Sequence, residues 1–519
     1  MSAEPRTLAE LIGTHAREDP ARMALAIDGA ELTYGELDAA IERTADALFA
    51  AGIRHGDRVA LMLGNSLPFV TAFYGAMRIG AVAVALNPMY RDREVATILE
   101  DSEPSLAIVQ SELWPQAAAS FLASPVPSIV FTEGDPPTTD ARMTSWDAFL
   151  AVAAPRGAAA RVPEPNDLAL LCYTSGTTGR PKGAMHSHAT LLANCRQAGT
   201  QLRRHPDSED RVLVSVPLGH LYGLQSGING MFRVGGSCVV LRRFDATATL
   251  RAVEDYRCTY MLGAPAMFAK WLEVLETQRF DLTSLRVVTT GTASLAASVL
   301  DRFVAIANVA ISESYGLTEA GPTTHSNSNG PVDKIGSVGP PIPDVESRLV
   351  DADGNVVSPG EPGEIEVRSP GLMLGYWNAP EATAATFRDG WLRTGDVAIC
   401  DADGYYTIVD RLKDMISVNG FKVWPREIED TLVAHPGVRE AAVVGVADAN
   451  GSERPFAFVI RDPHADVSED ALLAYVAASL ARYKVPARIE FVDDFPRVST
   501  GKVMRRELRQ RVLALGSHA

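Results

Sequence analysis

Ten residues from Thr174 read Thr174-Ser175-Gly176-Thr177-Thr178-Gly179-Arg180-Pro181-Lys182-Gly183, hydroxyls and glycines interleaved and then a cation. Glycine lets backbone N–H groups approach an anion closely, hydroxyls add donors and lysine adds a compact positive charge, so the composition suits a loop that cradles a polyphosphate. It is not a Walker A loop, which needs Ser or Thr directly after Gly-Lys, because Gly183 follows Lys182. Read alone, a segment of this kind is as often an ordinary turn. Lysine occurs only at Lys182, Lys270, Lys334, Lys413, Lys422, Lys484 and Lys502, and the remaining positive charge is arginine. That scarcity makes each lysine informative, since a flexible ammonium does what a planar guanidinium does not. Lys182 and Lys502 lie in glycine-containing segments without an evident packing role, and Lys502 is expected to act on phosphate as a point charge. Further along, Ser314-Tyr315-Gly316-Leu317-Thr318-Glu319 places an aromatic face, a hydroxyl and a carboxylate together, a set suited to a purine and to magnesium-bound phosphate.

The elements that must carry these residues alternate short β-branched runs with helical patterns: Val59 to Met62, Pro68 to Ile79, Val82 to Leu86, Asp92 to Glu100, Leu106 to Val109. Such alternation predicts parallel sheets covered by helices. Further strands are expected at Leu168 to Tyr173, Val212 to Val216, Ser237 to Leu241 and Val287 to Thr290, with a linker over the Ala- and Pro-rich stretch Ala151 to Pro165. From about Gly363 the texture turns to short strands with Gly and Asp turns, and from about Lys413 a last segment has its own pattern: strands at Val443 to Val446 and Phe456 to Ile460, then a helix from Glu469 to Arg482. The expected fold is α/β, with a large N-terminal domain of stacked α/β subdomains over residues 1–412. A small β-rich subdomain spans about 335–412, and a small, mobile C-terminal α+β domain spans 413–519.

Composition narrows the function classes. With 519 residues, 46% hydrophobic and 22% charged, the chain is neither disordered nor fibrous. Its net charge of −16 removes the basic field of a nucleic-acid binder, so an anionic ligand needs local positive charge. Five cysteines without a CxxC pair suggest neither a disulfide framework nor a zinc module, and a reducing cytoplasm is expected. The start MSAEPRTLAELIG lacks the basic and apolar regions of a secretory signal, and Ser517-His518-Ala519 is not a peroxisomal address. The apolar stretch Val59 to Leu86 is interrupted by Asn65, Pro68 and Arg78, and reads as core strand and helix rather than a membrane span.

Four more segments complete a series. These are Trp391-Leu392-Arg393-Thr394-Gly395-Asp396, Asp410-Arg411-Leu412-Lys413-Asp414, Ser417-Val418-Asn419-Gly420-Phe421-Lys422 and Pro496-Arg497-Val498-Ser499-Thr500-Gly501-Lys502. In this order, over nearly the whole chain, the series resembles the adenylate-forming superfamily of acyl-CoA synthetases, peptide-synthetase adenylation domains and beetle luciferases. The resemblance implies that residues 174–179 and Lys182 hold ATP phosphates, and that Tyr315 packs on adenine between Ser314 and Gly316. It further implies that Thr318 meets the α-phosphate and Glu319 serves Mg²⁺. Asp396 and Arg411 would bind ribose, Lys413 would be the domain hinge, Gly420 and Lys422 would line the pantetheine channel, and Lys502 would bridge the substrate carboxylate and α-phosphate. Two weaker matches add His220, Tyr222 and Gly223 beside the acyl pocket and Gly291-Thr292-Ala293-Ser294 as an adenine-contacting turn, where Thr292 and Ser294 depart from the common Gly and Pro. Without the family, Arg411 reads as a surface partner of Asp410 or Asp414, and His220 as a core histidine.

The activity so implied has two halves. A carboxylic acid attacks the α-phosphorus of ATP and releases pyrophosphate, then a thiol takes the acyl group from acyl-AMP after rotation about the hinge. Peptide-synthetase domains generally place an aspartate near the His220 segment to pair with the substrate ammonium, and residues Pro217 to Gly230 contain no carboxylate. A fatty or other non-amino acid is therefore expected. The spacing from Tyr315 to Asp396 shows no sign of the insertion of fatty acyl-AMP ligases, so a thioester product is expected, with coenzyme A as thiol and a carrier protein's phosphopantetheine as the alternative. A non-catalytic nucleotide-binding protein is the remaining reading, opposed by the presence of both Lys502 and Glu319. Gly223, Gly227 and Gly230 suit either room for an acyl chain or close helix packing. Monomer and homodimer are both compatible with the sequence.

Overall fold

Strand-forming runs flanked by helices fold as parallel sheets because a right-handed crossover returns each strand beside an earlier one. The computed structural model describes residues 4–157, 161–174, 180–198, 207–291, 297–332, 334–418, 421–447, 453–463, 465–497 and 503–516. It divides into two compact units, the first comprising residues 1–335, 339–346 and 367–392, the second 336–338, 347–366 and 393–519. The β-rich strands of 347–366 and 393–411 thus cluster with the C-terminal residues.

The first unit holds two eight-stranded sheets. One runs Gly321–Ser326, Ala310–Leu317, Val287–Thr290, Tyr260–Gly263, Arg211–Val214, Ser237–Val240, Met23–Ile27, Ala30–Thr33; its two outermost pairs are antiparallel and the rest parallel. The other runs Gly375–Tyr376, Lys182–Ser187, Leu168–Thr174, Val82–Ala85, Arg58–Met62, Leu106–Gln110, Ile129–Thr132, Met143–Ser145, parallel except for the first two pairings. Between the sheets lie the helices Tyr34–Ala50 and Leu67–Arg78. The first starts on a capping box, Thr33 with Glu36; the second starts on Ser66 with Pro68 in its first turn, and buries every residue from Phe69 to Met77. The apolar stretch Val59 to Leu86 is accordingly strand, helix, strand within the core, and no helix among the described residues is long and apolar enough to cross a membrane.

In the second unit, strands Glu346–Val350, Pro362–Arg368, Trp391–Cys400 and Tyr406–Arg411 form the β-rich part. The C-terminal part pairs Val438–Ala447 with Glu453–Arg461 antiparallel and Glu453–Arg461 with Ile489–Phe491 parallel. Helices Pro425–Val433 and Glu469–Ser479 pack Ile428, Leu432, Leu472 and Val476 on one face of that sheet; helix Arg505–Gly516 packs Leu508 and Val512 against Phe456 and Phe458 on the other. This is the α+β arrangement expected from residue 413 onward.

Candidate active site

The expected site residues of the first unit follow the carboxyl ends of parallel strands, where open α/β sheets bind ligands. Thr174 ends the strand Leu168–Thr174, His220 follows Arg211–Val214, Gly291 follows Val287–Thr290, and Ser314 to Glu319 close the strand Ala310–Leu317 and the turn after it. Nine expected residues, Ser175, Gly176, Thr177, Thr178, Gly179, Thr292, Ala293, Gly420 and Lys502, lie outside the described residues.

Around the phosphate loop, the antiparallel register sets Thr174 opposite Lys182, so the two ends of the loop are cross-strand neighbours. Glu319 is drawn into the same cluster. Tyr376 Oη donates to Glu319 Oε1 at 2.8 Å, and Thr174 Oγ1 stands 3.5 Å from the same oxygen. The backbone of the turn is fixed as well: His186 Nε2 donates to the Thr318 carbonyl at 2.9 Å, and Met373 N–H to the Glu319 carbonyl at 2.9 Å. His186 is fully buried, which pulls its pKa down to about 4 and keeps it a neutral donor. The Lys182 ammonium lies 5.2 Å from the centroid of the Tyr376 ring and has no carboxylate within ion-pair reach among the described residues. The cluster therefore offers an uncommitted cation beside a carboxylate and two threonine hydroxyls. Among the described residues no three His, Cys, Asp or Glu side chains gather as a metal cage. A single carboxylate with hydroxyl oxygens fits Mg²⁺, which takes one or two carboxylates and completes its shell with water and substrate phosphates.

A second group forms beside Gly291. A side-chain carbon there would lie 3.6 Å from the Ser314 carbonyl oxygen and 3.9 Å from the Tyr222 ring, so these three elements converge. Tyr222 is held rigidly, its hydroxyl sharing a hydrogen bond with Thr289 Oγ1 at 2.7 Å and reaching the Gly263 carbonyl at 3.3 Å. His220 Nδ1 accepts from Tyr222 N–H at 3.2 Å, which leaves Nε2 with the proton; burial pulls the His220 pKa down to about 4, so the ring is neutral at pH 7. Tyr315 sits with its ring 5.8 Å from that of His325, and Gly316 is required where it stands, because a side chain would collide with the Pro322 carbonyl of the facing strand.

The backbone carrying Tyr222 is a π-helix over Tyr222–Asn229, a form that spacing alone does not reveal. Its polar side chains are consumed internally: Tyr74 pairs with Asn229, Asn229 with Gln225, and Gln225 Nε2 donates to the Leu191 carbonyl at 2.8 Å. The glycines of this segment serve packing. A carbon on Gly223 would strike the Pro217 carbonyl, and one on Gly227 would lie 3.0 Å from a Val214 methyl and 3.2 Å from Leu262. The two readings of these glycines thus resolve to close approach rather than space for a chain.

In the second unit, Asp396 and Arg411 are directly opposed across the hairpin, with Arg411 Nε 3.0 Å from Asp396 Oδ1. Arg411 does not pair through its side chain with the adjacent Asp410. That carboxylate is buried and accepts backbone N–H groups of Arg411 and Arg426 at 2.7 and 3.0 Å, while burial raises its pKa. Asp396 is itself only 5% exposed, so the pair is far less screened than a surface salt bridge. Lys413 sits in the single 3₁₀ turn Leu412–Asp414, and Lys422 is exposed on the strand Phe421–Val423, opposite Ser417.

Sequence reasoning passed over Tyr376 and His186. The first stands in Gly375-Tyr376-Trp377-Asn378-Ala379-Pro380, an aromatic pair ahead of a proline helix start, which could have marked it. Nothing in the local sequence distinguishes His186.

Residues 13–377 match the family described as AMP-binding enzyme, and residues 427–502 the AMP-binding enzyme C-terminal domain. The long-chain-fatty-acid–CoA ligase of Bacillus subtilis is 33% identical over 97% of this chain and 94% of its own length. The feruloyl-CoA synthase of an Amycolatopsis species is 36% identical over 96% of this chain and 97% of its own. Among solved structures, the anthranilate CoA ligase AuaEII in complex with anthranoyl-AMP superposes with a TM-score of 0.90 at 30% identity, covering 99% of both chains.

Proposed function

The chain belongs to the AMP-binding enzyme family, and from that premise we propose that it is an AMP-forming acid–thiol ligase that activates a non-amino carboxylic acid with ATP and passes the acyl group to coenzyme A. The observation that carries this reading is the convergence of Thr174, Lys182 and Glu319 at one strand end, an anion cradle with its own carboxylate.

A carboxylate is a poor acyl donor because its leaving group would be oxide. Attack of the acid oxygen on the α-phosphorus forms the mixed anhydride and expels pyrophosphate, a task of positioning two anions in line and balancing charge as it moves. Thr174 and Lys182 hold phosphate oxygens, Tyr315 packs on adenine, and Asp396 accepts from the ribose diol while Arg411 fixes the carboxylate. Bound between Glu319 and the phosphates, Mg²⁺ would neutralise charge developing on the pyrophosphate. The acid lies between Tyr222 and Gly291, with neutral His220 Nε2–H as a donor at its edge. Lys502 completes the first half reaction, Lys413 takes up the backbone change between halves, and Gly420 and Lys422 admit the thiol arm in the second.

A carboxylate at ribose predicts a specific defect. Asp396→Asn is expected to raise KM for ATP about tenfold with kcat changed less, the cost of one weakened charge-assisted hydrogen bond. Steady-state kinetics at saturating acid read this directly, and an unchanged KM for ATP would remove Asp396 from the nucleotide site.

The proposed acceptor and location are coenzyme A and the cytoplasm; all five cysteines carry free thiols, which suits a reducing compartment. The test of function is pyrophosphate release with ATP and Mg²⁺ across short, medium, long, aryl and amino acids, each with and without coenzyme A. Acid-dependent release stimulated by coenzyme A supports the reading and ranks the acids. Release indifferent to coenzyme A transfers the reaction to a carrier protein, and no release with any acid leaves a nucleotide-binding protein.

A further inference from the structure

Residues 371–378 form a strap over the strand that follows the phosphate loop. Leu374 N–H donates to the Met185 carbonyl and Trp377 N–H to the Gly183 carbonyl, both at 2.8 Å, and Gly375–Tyr376 pairs antiparallel with Met185 and Ala184. Its far end is anchored on Asp101, whose carbonyl accepts from Trp377 Nε1 and Asn378 Nδ2 at 3.0 Å and whose carboxylate accepts from Tyr173 Oη at 2.6 Å. The near end carries Tyr376, whose backbone N–H is fixed by Thr383 Oγ1 at 2.8 Å. A side chain held at this many points has little freedom left, and its hydroxyl points at one oxygen of Glu319.

We propose that Tyr376 is the positioning residue of the phosphate site. Its hydroxyl pins Oε1 of Glu319 so that the carboxylate presents its other oxygen in a fixed direction to Mg²⁺ on the nucleotide, and its ring face seats the Lys182 ammonium beside it. The inference rests on the reading of Glu319 as the residue that serves the magnesium nucleotide. Burial and the neighbouring Glu319 charge raise the Tyr376 pKa, so the hydroxyl stays a donor throughout the working range. Thr174 Oγ1, at 3.5 Å from the same oxygen, is too distant to hold the carboxylate by itself. One residue thus links the two charged groups of the cradle, which lie on strands otherwise separated by more than a hundred positions.

The test is equilibrium binding of ATP to the full-length protein, by isothermal calorimetry without acid, in Mg²⁺ and in EDTA. In the wild type Mg²⁺ is expected to tighten ATP binding. Tyr376→Phe keeps the ring and removes only the hydroxyl, so it is expected to lose about fivefold of that tightening, as one hydrogen bond to a charged group allows, while binding in EDTA changes less than twofold. Glu319→Gln should abolish the tightening, and adding Tyr376→Phe to it should change nothing further, because the hydroxyl acts through the carboxylate. Tyr376→Leu, which also removes the ring, should in addition weaken binding in EDTA through Lys182. Full tightening in Tyr376→Phe beside its loss in Glu319→Gln overturns the inference, as does equal weakening in Mg²⁺ and EDTA, the pattern of a merely structural role. Full tightening in Glu319→Gln overturns instead the underlying reading of Glu319.

Discussion

Lys502→Ala is expected to lower acid-dependent pyrophosphate release by about 10³-fold while leaving thioester formation from supplied acyl-adenylate nearly unchanged. The asymmetry follows from where charge changes. In the first half reaction two anions must meet, and a mobile ammonium between the acid and the α-phosphate is worth most in the transition state, where charge shifts toward pyrophosphate. In the second half reaction the acyl-adenylate is already made and a thiol attacks its carbonyl, so the same ammonium has no anion pair to bridge. A glutamine at 502 retains length and hydrogen bonding without charge and should recover little. Single-turnover assays of each half, started from acid plus ATP or from acyl-adenylate plus coenzyme A, separate the two. Equal loss in both halves would remove Lys502 from its proposed post and point to a general effect on the C-terminal domain, whose family match ends at this residue.

What the sequence made legible is what neighbouring residues decide. Val59–Met62 and Val287–Thr290 announce buried strands because β-branched runs have few other uses, and the structure places strands at Arg58–Met62 and Val287–Thr290. The loop from Thr174 to Lys182 was legible as an anion cradle because glycine, hydroxyl and lysine stand within one turn. Contacts between distant segments left no such trace. Tyr376 reaches Glu319 across 57 positions, and its partner is set by how the strap docks on Met185 and Gly183, not by its own neighbours. Arg411 illustrates the same limit at short range: sequence offers Asp410 and Asp414 on either side, but strand alternation turns Asp410 inward and leaves Asp396, across the hairpin, to meet the guanidinium. The π-helix at Tyr222 was hidden because glycines at 223 and 227 satisfy a helical spacing of four equally well, and only the collision with Pro217 shows why no side chain is tolerated.

Acidification from pH 7.5 to 5 is expected to destabilise the first unit steeply, because His186, His188 and His325 are fully buried there as neutral rings. Burial pulls the pKa values of His186 and His188 to about 4 and that of His325 to about 3, against 6.5 in an unfolded chain. Between those limits the unfolded state binds protons that the folded state does not, so stability is complete above pH 6.5 and falls as pH drops toward 4. Each ring forfeits about 2 kcal/mol by pH 5, a window in which ordinary carboxylates are still ionised. Hydrogen bonding adds to the penalty at His188, whose Nδ1 accepts from Leu8 N–H at 3.3 Å and becomes a donor facing a donor once protonated. Among its neighbours Asp167 favours the charged ring and His55 opposes it, and burial outweighs both. The link to function runs through His186, which holds the Thr318 carbonyl: loss of its surroundings frees the turn that aims Glu319. Thermal melts at half-unit pH steps should show Tm falling continuously below pH 6.5. In His188→Asn, which removes one titrating ring, the fall should be shallower by up to one proton. A flat profile to pH 5, or an unaltered slope in the variants of all three rings, would place the acid sensitivity of this fold elsewhere.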